Sequence, residues 1–141
     1  PNPIMNLTAY IFFIIATVES NSNPNAVGDN GAALGMYQLH AAYVQDASEH
    51  SGIYYEHKDA YDQQRAEDII NSYMDRYATT KRLGHPPTIQ DICRIHNGGP
   101  NGYKRSSTEA YWQKCKAVMD TIQLKEQALK SVADYNNNYI R

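Results

Sequence analysis

The sequence predicts one mainly α-helical domain with a short non-helical segment near its N-terminal end. Apolar residues recur at helical spacing over much of the 141 residues, whereas the alternation typical of strands is scarce. Residues 21–36 are the exception, because they are rich in Asn, Gly and Ala and predict an ordered loop or a short β-hairpin. No linker or internal repeat divides the chain, so we expect residues 1–141 to form a single domain.

Caps and breakers place the first two helices. Asn2 can cap a helix that has Pro3 at its first position and extends to about Val18. Residues 37–47 can form a second helix, which Ser51 and Gly52 break.

The next two helices follow from periodicity and capping. Residues 59–78 form the clearest amphipathic pattern in the chain. Residues 83–87 contain a glycine and two prolines and predict a connector. Thr88 caps a short helix, which ends at the glycines of positions 98 and 99.

A final helix is predicted after a capping box formed by Ser106 and Glu109. After Asp134 the sequence suggests a fraying tail. The apolar residues of this helix form one stripe, which consists of Tyr111, Cys115, Val118, Ile122, Leu129 and Val132.

Charge and hydropathy exclude two classes of partner. The net charge is −2 and no Lys/Arg cluster offers a footprint for nucleic acid, so we expect none to bind. The apolar run Tyr10–Val18 is too short to span a membrane and lacks a basic flank, which favours a buried core helix. We expect a monomer. A chain that begins at Pro1 suggests a processed product or a domain excised from a larger protein.

Two carboxylic acids near the predicted loop are candidates for acid–base chemistry. Glu19 follows an apolar helix whose side chains should disfavour its charged form, as a proton donor requires. Asp29 lies in a polar segment between Gly28 and Asn30, where it should stay solvated. Two carboxyl groups in contrasting surroundings are the minimum equipment for cleaving a glycosidic bond. The alternative is a solvated helix end followed by an ordinary turn.

Other chemistries have weaker support. The pairs Glu49-His50 and Glu56-His57 suggest a metal site, but no metal-binding spacing accompanies them, so we predict neither metal nor cofactor. A nucleophile among residues 106–108 beside His96 would serve acyl transfer, but the G-x-S-x-G elbow is missing.

Several sequence motifs follow one another between about Ile14 and Val118. The first reads Glu19-Ser20-x-x-Asn23-Pro24-x-Ala26, then Gly31-Ala32, then Gly35-Met36-Tyr37-Gln38. It resembles the signature of the lysozyme and soluble lytic transglycosylase superfamily. The later motifs resemble the invertebrate-type, destabilase-like lysozymes; they read Tyr73-Met74-x-Arg76-Tyr77, then Arg94-Ile95-His96-Asn97-Gly98-Gly99-Pro100-Asn101-Gly102, then Thr108-x-x-Tyr111-Trp112.

This resemblance implies an α+β lysozyme-like fold in which residues 21–36 form one side of a substrate cleft. It also implies a muramidase that cuts the β-1,4 link between N-acetylmuramic acid and N-acetylglucosamine in peptidoglycan. Glu19 would protonate the leaving oxygen, and Asp29 would stabilise or capture the oxocarbenium-like centre. The implied substrate-binding residues are Ser20, Tyr37, Gln38, His96, Asn97 and Tyr103. The glycines at 98 and 99 would let backbone amides approach the N-acetyl groups, unless they are a plain helix stop.

Two alternatives remain open at this point. A lytic transglycosylase would use Glu19 alone and leave 1,6-anhydro ends, and a non-catalytic protein would bind cell walls or help to assemble a virion on the same scaffold. Cys93 and Cys115 form either one disulfide or two buried thiols, whereas members of the resembling family contain many disulfides. The small number of cysteines favours a bacterial or viral relative. Such a protein would act at the bacterial cell wall from the periplasm, after secretion or on a virion.

Overall fold

A computed structural model describes residues 5–139 of the chain. Within that range six α-helices and one two-stranded sheet follow one another, joined by short 3-10 turns. The elements are α1 (Ala9–Ser20), β1 (Val27–Gly28), β2 (Ala33–Leu34), α2 (Ala41–Ser51), α3 (Gln63–Tyr77), α4 (Thr80–Leu83), α5 (Ile89–Gly98) and α6 (Glu109–Tyr139). The predicted mainly α-helical fold with a small hairpin is confirmed.

The core surrounds α1 and α3. On α1, Ile14 and Ile15 are fully buried, and on α3 the same is true of Ile69 and Ile70. The apolar run of α1 is therefore a core helix, as predicted. Among residues 5–139, no helix is both long enough and apolar enough to cross a bilayer.

The first helix begins later than predicted, because Thr8 caps it by accepting a hydrogen bond from the Ile11 amide at 3.4 Å. The residues before it use α3 as their partner instead. The amides of Met5 and Leu7 donate to the side chains of Asp75 and Asn71, at 2.9 Å and 2.8 Å. The predicted cap at Asn2 and Pro3 lies outside the described residues.

The predicted hairpin is present. Strands β1 and β2 pair in antiparallel register, with Val27 opposite Leu34 and Gly28 opposite Ala33. A single 3-10 turn, Asp29–Gly31, joins the strands and places the side chain of Asp29 at the tip.

The predicted starts of α2 and α3 are both too early, because a strand contact and a side-chain cap engage the residues just before each helix. Leu39 exchanges two backbone hydrogen bonds with Leu34, so α2 starts only at Ala41. Helix α3 starts at Gln63 because Asp62 caps it. Helix α3 ends at Tyr77, one residue before its predicted end. Helix α2 continues past residue 47 to Ser51 and stops at a left-handed Gly52, where the break was predicted.

The capping of α5 is confirmed, but that of α6 is not. Thr88 and Asp91 form a reciprocal capping box at the start of α5. Ser106, in contrast, lies inside a 3-10 turn whose N-cap is Arg105, so it does not cap α6. The predicted connector of residues 83–87 overlaps α4 at Leu83, and Gly84 is the C-cap of that helix.

Helix α6 extends well beyond the residues with which it packs on the rest of the domain. Tyr111 and Cys115 are buried against α1 and α5, but Leu129 and Val132 are exposed, so the predicted stripe packs only along its first half. The predicted tail after Asp134 is helical to Tyr139. Cys93 on α5 and Cys115 on α6 are buried free thiols.

Candidate active site

Glu19 lies in the last turn of α1, where the helix ends at a left-handed Asn21. Its side chain is 20% exposed, and its Oε2 atom lies 3.4 Å from Nε2 of His96 on α5. Glu19 therefore occupies a half-enclosed position between two helices, with one carboxylate oxygen against a buried ring.

Asp29 has the opposite environment. Its side chain is 68% exposed at the tip of the hairpin, and its Oδ2 atom lies 2.8 Å from Nε2 of His40. His40 is the N-cap residue of α2, so the contact fixes the hairpin tip against the start of that helix. The contrast in exposure between Glu19 and Asp29 follows the prediction made from their sequence neighbours.

Three of the predicted substrate-binding side chains are already engaged inside the protein. Ser20 donates to the carbonyl of Met36 at 2.7 Å, which joins the end of α1 to the segment after the hairpin. Tyr37 is 1% exposed and donates to Glu67 at 2.8 Å. The His96 side chain is 2% exposed. Of these three side chains, His96 is the one that lies against Glu19.

Asn97, Gln38 and Tyr103 are more accessible. Asn97 is exposed on α5, next to His96. Gln38 is half-buried, has a left-handed backbone and donates to the carbonyl of Gly35 at 2.9 Å. Tyr103 is half-buried and donates to the carbonyl of Arg82 at 3.2 Å.

The glycines after α5 serve packing and helix termination. The amide of Gly99 donates to Ile95 and that of Gly102 donates to Gly99, so neither amide is free for an N-acetyl group. A side chain at Gly102 would meet the carbonyl of Arg94, because this turn packs directly on the helix. The amide of Gly99, one of the two glycines predicted to approach the N-acetyl groups, is therefore engaged within the protein.

No local sequence pattern singles out two side chains that complete this region. Tyr43 looked like one more apolar position of α2, yet its hydroxyl lies 3.1 Å from Nδ1 of His96. His40 is an isolated histidine in the sequence and becomes the partner of Asp29 only through the fold.

The minor chemistries have no geometric support. His50 pairs with Asp75 at 2.7 Å and His57 contacts the carbonyl of Leu39, and no cluster of three or more possible metal ligands occurs in residues 5–139. The ring nitrogens of His96 face Tyr43, Tyr37 and Glu19, not a serine or threonine of residues 106–108.

The profile of the Destabilase family matches residues 10–118, which include α1, the hairpin, α5 and the start of α6. The chain belongs to this family. Glu19, Asp29, His40, Tyr43 and His96 all lie within the matched range.

Relatives and solved structures agree with this assignment. Lysozyme 1 of Crassostrea virginica is 31% identical over 105 residues, which are 73% of this chain and 55% of that protein. Invertebrate-type lysozyme 6 of Caenorhabditis elegans is 27% identical over 112 residues, 74% of this chain and 81% of that protein. The chain thus spans about half the length of the oyster protein.

The crystal structure of Tapes japonica lysozyme superposes with a TM-score of 0.65 and 27% identity, covering 77% of this chain and 87% of that one. Meretrix lusoria lysozyme, solved in complex with PliI of Aeromonas hydrophila, gives a TM-score of 0.65 with 28% identity, covering 81% of this chain and 92% of that one.

Proposed function

We propose that this protein is a muramidase that hydrolyses the β-1,4 bond between N-acetylmuramic acid and N-acetylglucosamine in peptidoglycan. The observation that carries the proposal is the contrast between Glu19, half-enclosed at the end of α1, and Asp29, exposed at the hairpin tip. Membership of the Destabilase family and the likeness to several lysozymes support it.

In the proposed mechanism, Glu19 gives its proton to the oxygen that leaves the scissile bond. Asp29 stabilises or captures the oxocarbenium-like centre on the sugar, and water completes the hydrolysis. The exposed Asn97 and the half-buried Gln38 are the predicted residues best placed to contact the glycan. Peptidoglycan strands are the partner, and the bacterial cell wall is the place of action, reached from the periplasm, after secretion or on a virion.

The first experiment replaces the proposed acid. Glu19→Gln keeps the size of the side chain but removes its transferable proton, so wall clearing should fall by about a hundredfold or more. Turbidity of suspended bacterial cell walls measures clearing, and co-sedimentation with the walls measures binding, which should persist. Glu126→Gln, on the exposed part of α6, is the matched control and should clear walls at the wild-type rate. Clearing at that rate by the Glu19 variant would refute the assignment.

Product analysis separates hydrolysis from transglycosylation. Mass spectrometry of digested walls should find hydrolysed, reducing ends, and Asp29→Asn should lose most activity. Anhydro ends, together with an active Asp29→Asn variant, would instead indicate a lytic transglycosylase that uses Glu19 alone. Wall binding without any cleavage by the wild type would indicate the non-catalytic alternative.

A further inference from the structure

Both ring nitrogens of His96 face oxygen atoms inside the protein. Nε2 lies 3.0 Å from the carbonyl oxygen of Tyr37 and 3.4 Å from Oε2 of Glu19, while Nδ1 lies 3.1 Å from the hydroxyl of Tyr43. The ring is almost fully buried, so water does not compete for these contacts.

These neighbours determine where the neutral ring carries its hydrogen. A backbone carbonyl only accepts hydrogen bonds, so Nε2 must be the protonated nitrogen. Nδ1 then accepts from the Tyr43 hydroxyl, which keeps its proton because burial raises the pKa of Tyr43 well above its usual value. His96 therefore donates this N–H to the Tyr37 carbonyl, and the same nitrogen lies 3.4 Å from a carboxylate oxygen of Glu19.

Aromatic packing holds this arrangement in place. Tyr43 stacks face to face on Tyr73, with ring centroids 3.7 Å apart, and meets the His96 ring edge-on at 5.3 Å. Tyr77 packs edge-on against Tyr73 at 4.8 Å. A ring enclosed in this way has little room to change its orientation.

We propose that His96 is a positioning residue for Glu19, and that Tyr43 fixes the tautomer of His96 that this role needs. The inference rests on the proposed function of Glu19 as the acid. The N–H of His96 orients the carboxyl group of Glu19 and stabilises the carboxylate that remains once Glu19 has given up its proton.

No proton leaves His96 in this cycle. Glu19 transfers one proton to the leaving sugar oxygen as the C–O bond breaks, and the resulting carboxylate accepts a hydrogen bond from Nε2. The incoming water then forms the new C–O bond and returns a proton to Glu19. His96 and Tyr43 start and finish the cycle in the same protonation state.

The test measures kcat and KM on soluble peptidoglycan fragments. In His96→Leu we expect kcat to fall about tenfold with little change in KM, because the N–H donor beside the Glu19 carboxylate is lost. His96→Gln, whose amide can donate near the position of Nε2, should recover part of kcat.

Tyr43→Phe keeps the stacked ring and removes only the hydroxyl that faces Nδ1 of His96, so we expect about a threefold fall in kcat with little change in KM. Tyr77→Phe removes a hydroxyl from the same aromatic stack without touching His96, and its kcat and KM should match those of the wild type.

A spectroscopic measurement on the wild type avoids any question of variant folding. The imidazole ¹⁵N shifts of His96 should show hydrogen on Nε2 and an accepting Nδ1, and the Nδ1 signal should change in Tyr43→Phe. Hydrogen on Nδ1, or wild-type kcat in both His96→Leu and Tyr43→Phe, would overturn the inference. A wild type that clears walls and an inactive Glu19→Gln variant would leave the proposed function intact in that case.

Discussion

At the scale of single residues, Thr108 holds the segment after α5 in place. Its side chain is buried, accepts a hydrogen bond from Nε of Arg94 at 2.8 Å and lies 2.7 Å from the carbonyl of Gly102, to which it donates. Its methyl group packs where a side chain at Gly98 would otherwise lie. One small side chain thus links α5, the turn that follows it and the start of α6.

Thr108→Val tests this role. Valine keeps the shape but leaves the Nε–H of Arg94 unpaired and removes the hydroxyl bond to the Gly102 carbonyl, so the free energy of unfolding should fall by about 1–3 kcal/mol. Urea denaturation measures the change. Thr121→Val is the matched control, because that hydroxyl is exposed and bonds only within α6. It should change stability by less than about 0.5 kcal/mol, and equal effects at the two sites would contradict the assignment.

At the scale of elements, the hairpin depends on the turn that follows it. Gly35 has a φ of 79°, and a Cβ atom there would collide with the backbone carbonyl of Ala60. Gly31, at the hairpin tip, has a φ of 96° but open space around it. The two glycines share a left-handed backbone and differ in what surrounds them.

This difference makes a paired test of the hairpin. Gly31→Ala should cost about 1–2 kcal/mol, the strain of a left-handed backbone alone. Gly35→Ala should cost about 1–3 kcal/mol more, since the backbone of residue 60 must also move. The measurement is again the free energy of unfolding in urea. If Gly35→Ala were no worse than Gly31→Ala, the close approach to Ala60 would not hold in solution.

At the scale of the whole molecule, the core contains an unusual share of tyrosine. The chain has 12 tyrosines, and burial is the main cause that raises the pKa of Tyr37, Tyr43, Tyr73 and Tyr111. A tyrosine side chain in the unfolded state loses its proton at about pH 10. Above that pH the unfolded state binds fewer protons than the folded state, so stability decreases as pH rises.

We therefore expect the free energy of unfolding to be insensitive to these groups below about pH 9 and to fall above about pH 10. Each buried tyrosine should contribute up to about 1.4 kcal/mol per pH unit. Urea denaturation at several pH values between pH 8 and pH 11.5 measures how the free energy of unfolding depends on pH. Tyr73→Phe should reduce this dependence by the contribution of one tyrosine. A flat profile up to pH 11.5 would show that these hydroxyls are not buried in the folded state.

Much of the fold follows from local rules that can be read along the chain. The box at Thr88, the stop at Gly52 and the hairpin within residues 21–36 need only neighbouring residues and a backbone that glycine or asparagine can turn. The starts of α1 and α2 could not be predicted in this way, because their competing partners lie on α3 and on β2.

The sequence by itself determined that Glu19 ends an apolar helix and that Asp29 follows in a polar turn, since both facts depend on residues a few positions away. Only the tertiary structure decided what surrounds them. Contacts between distant elements place His96 of α5 beside Glu19 and Tyr43 of α2 against the His96 ring, and they join Tyr37 to Glu67 of α3. It also leaves the second half of α6 exposed, because burial requires a neighbouring element and a periodic pattern does not reveal where that neighbour ends.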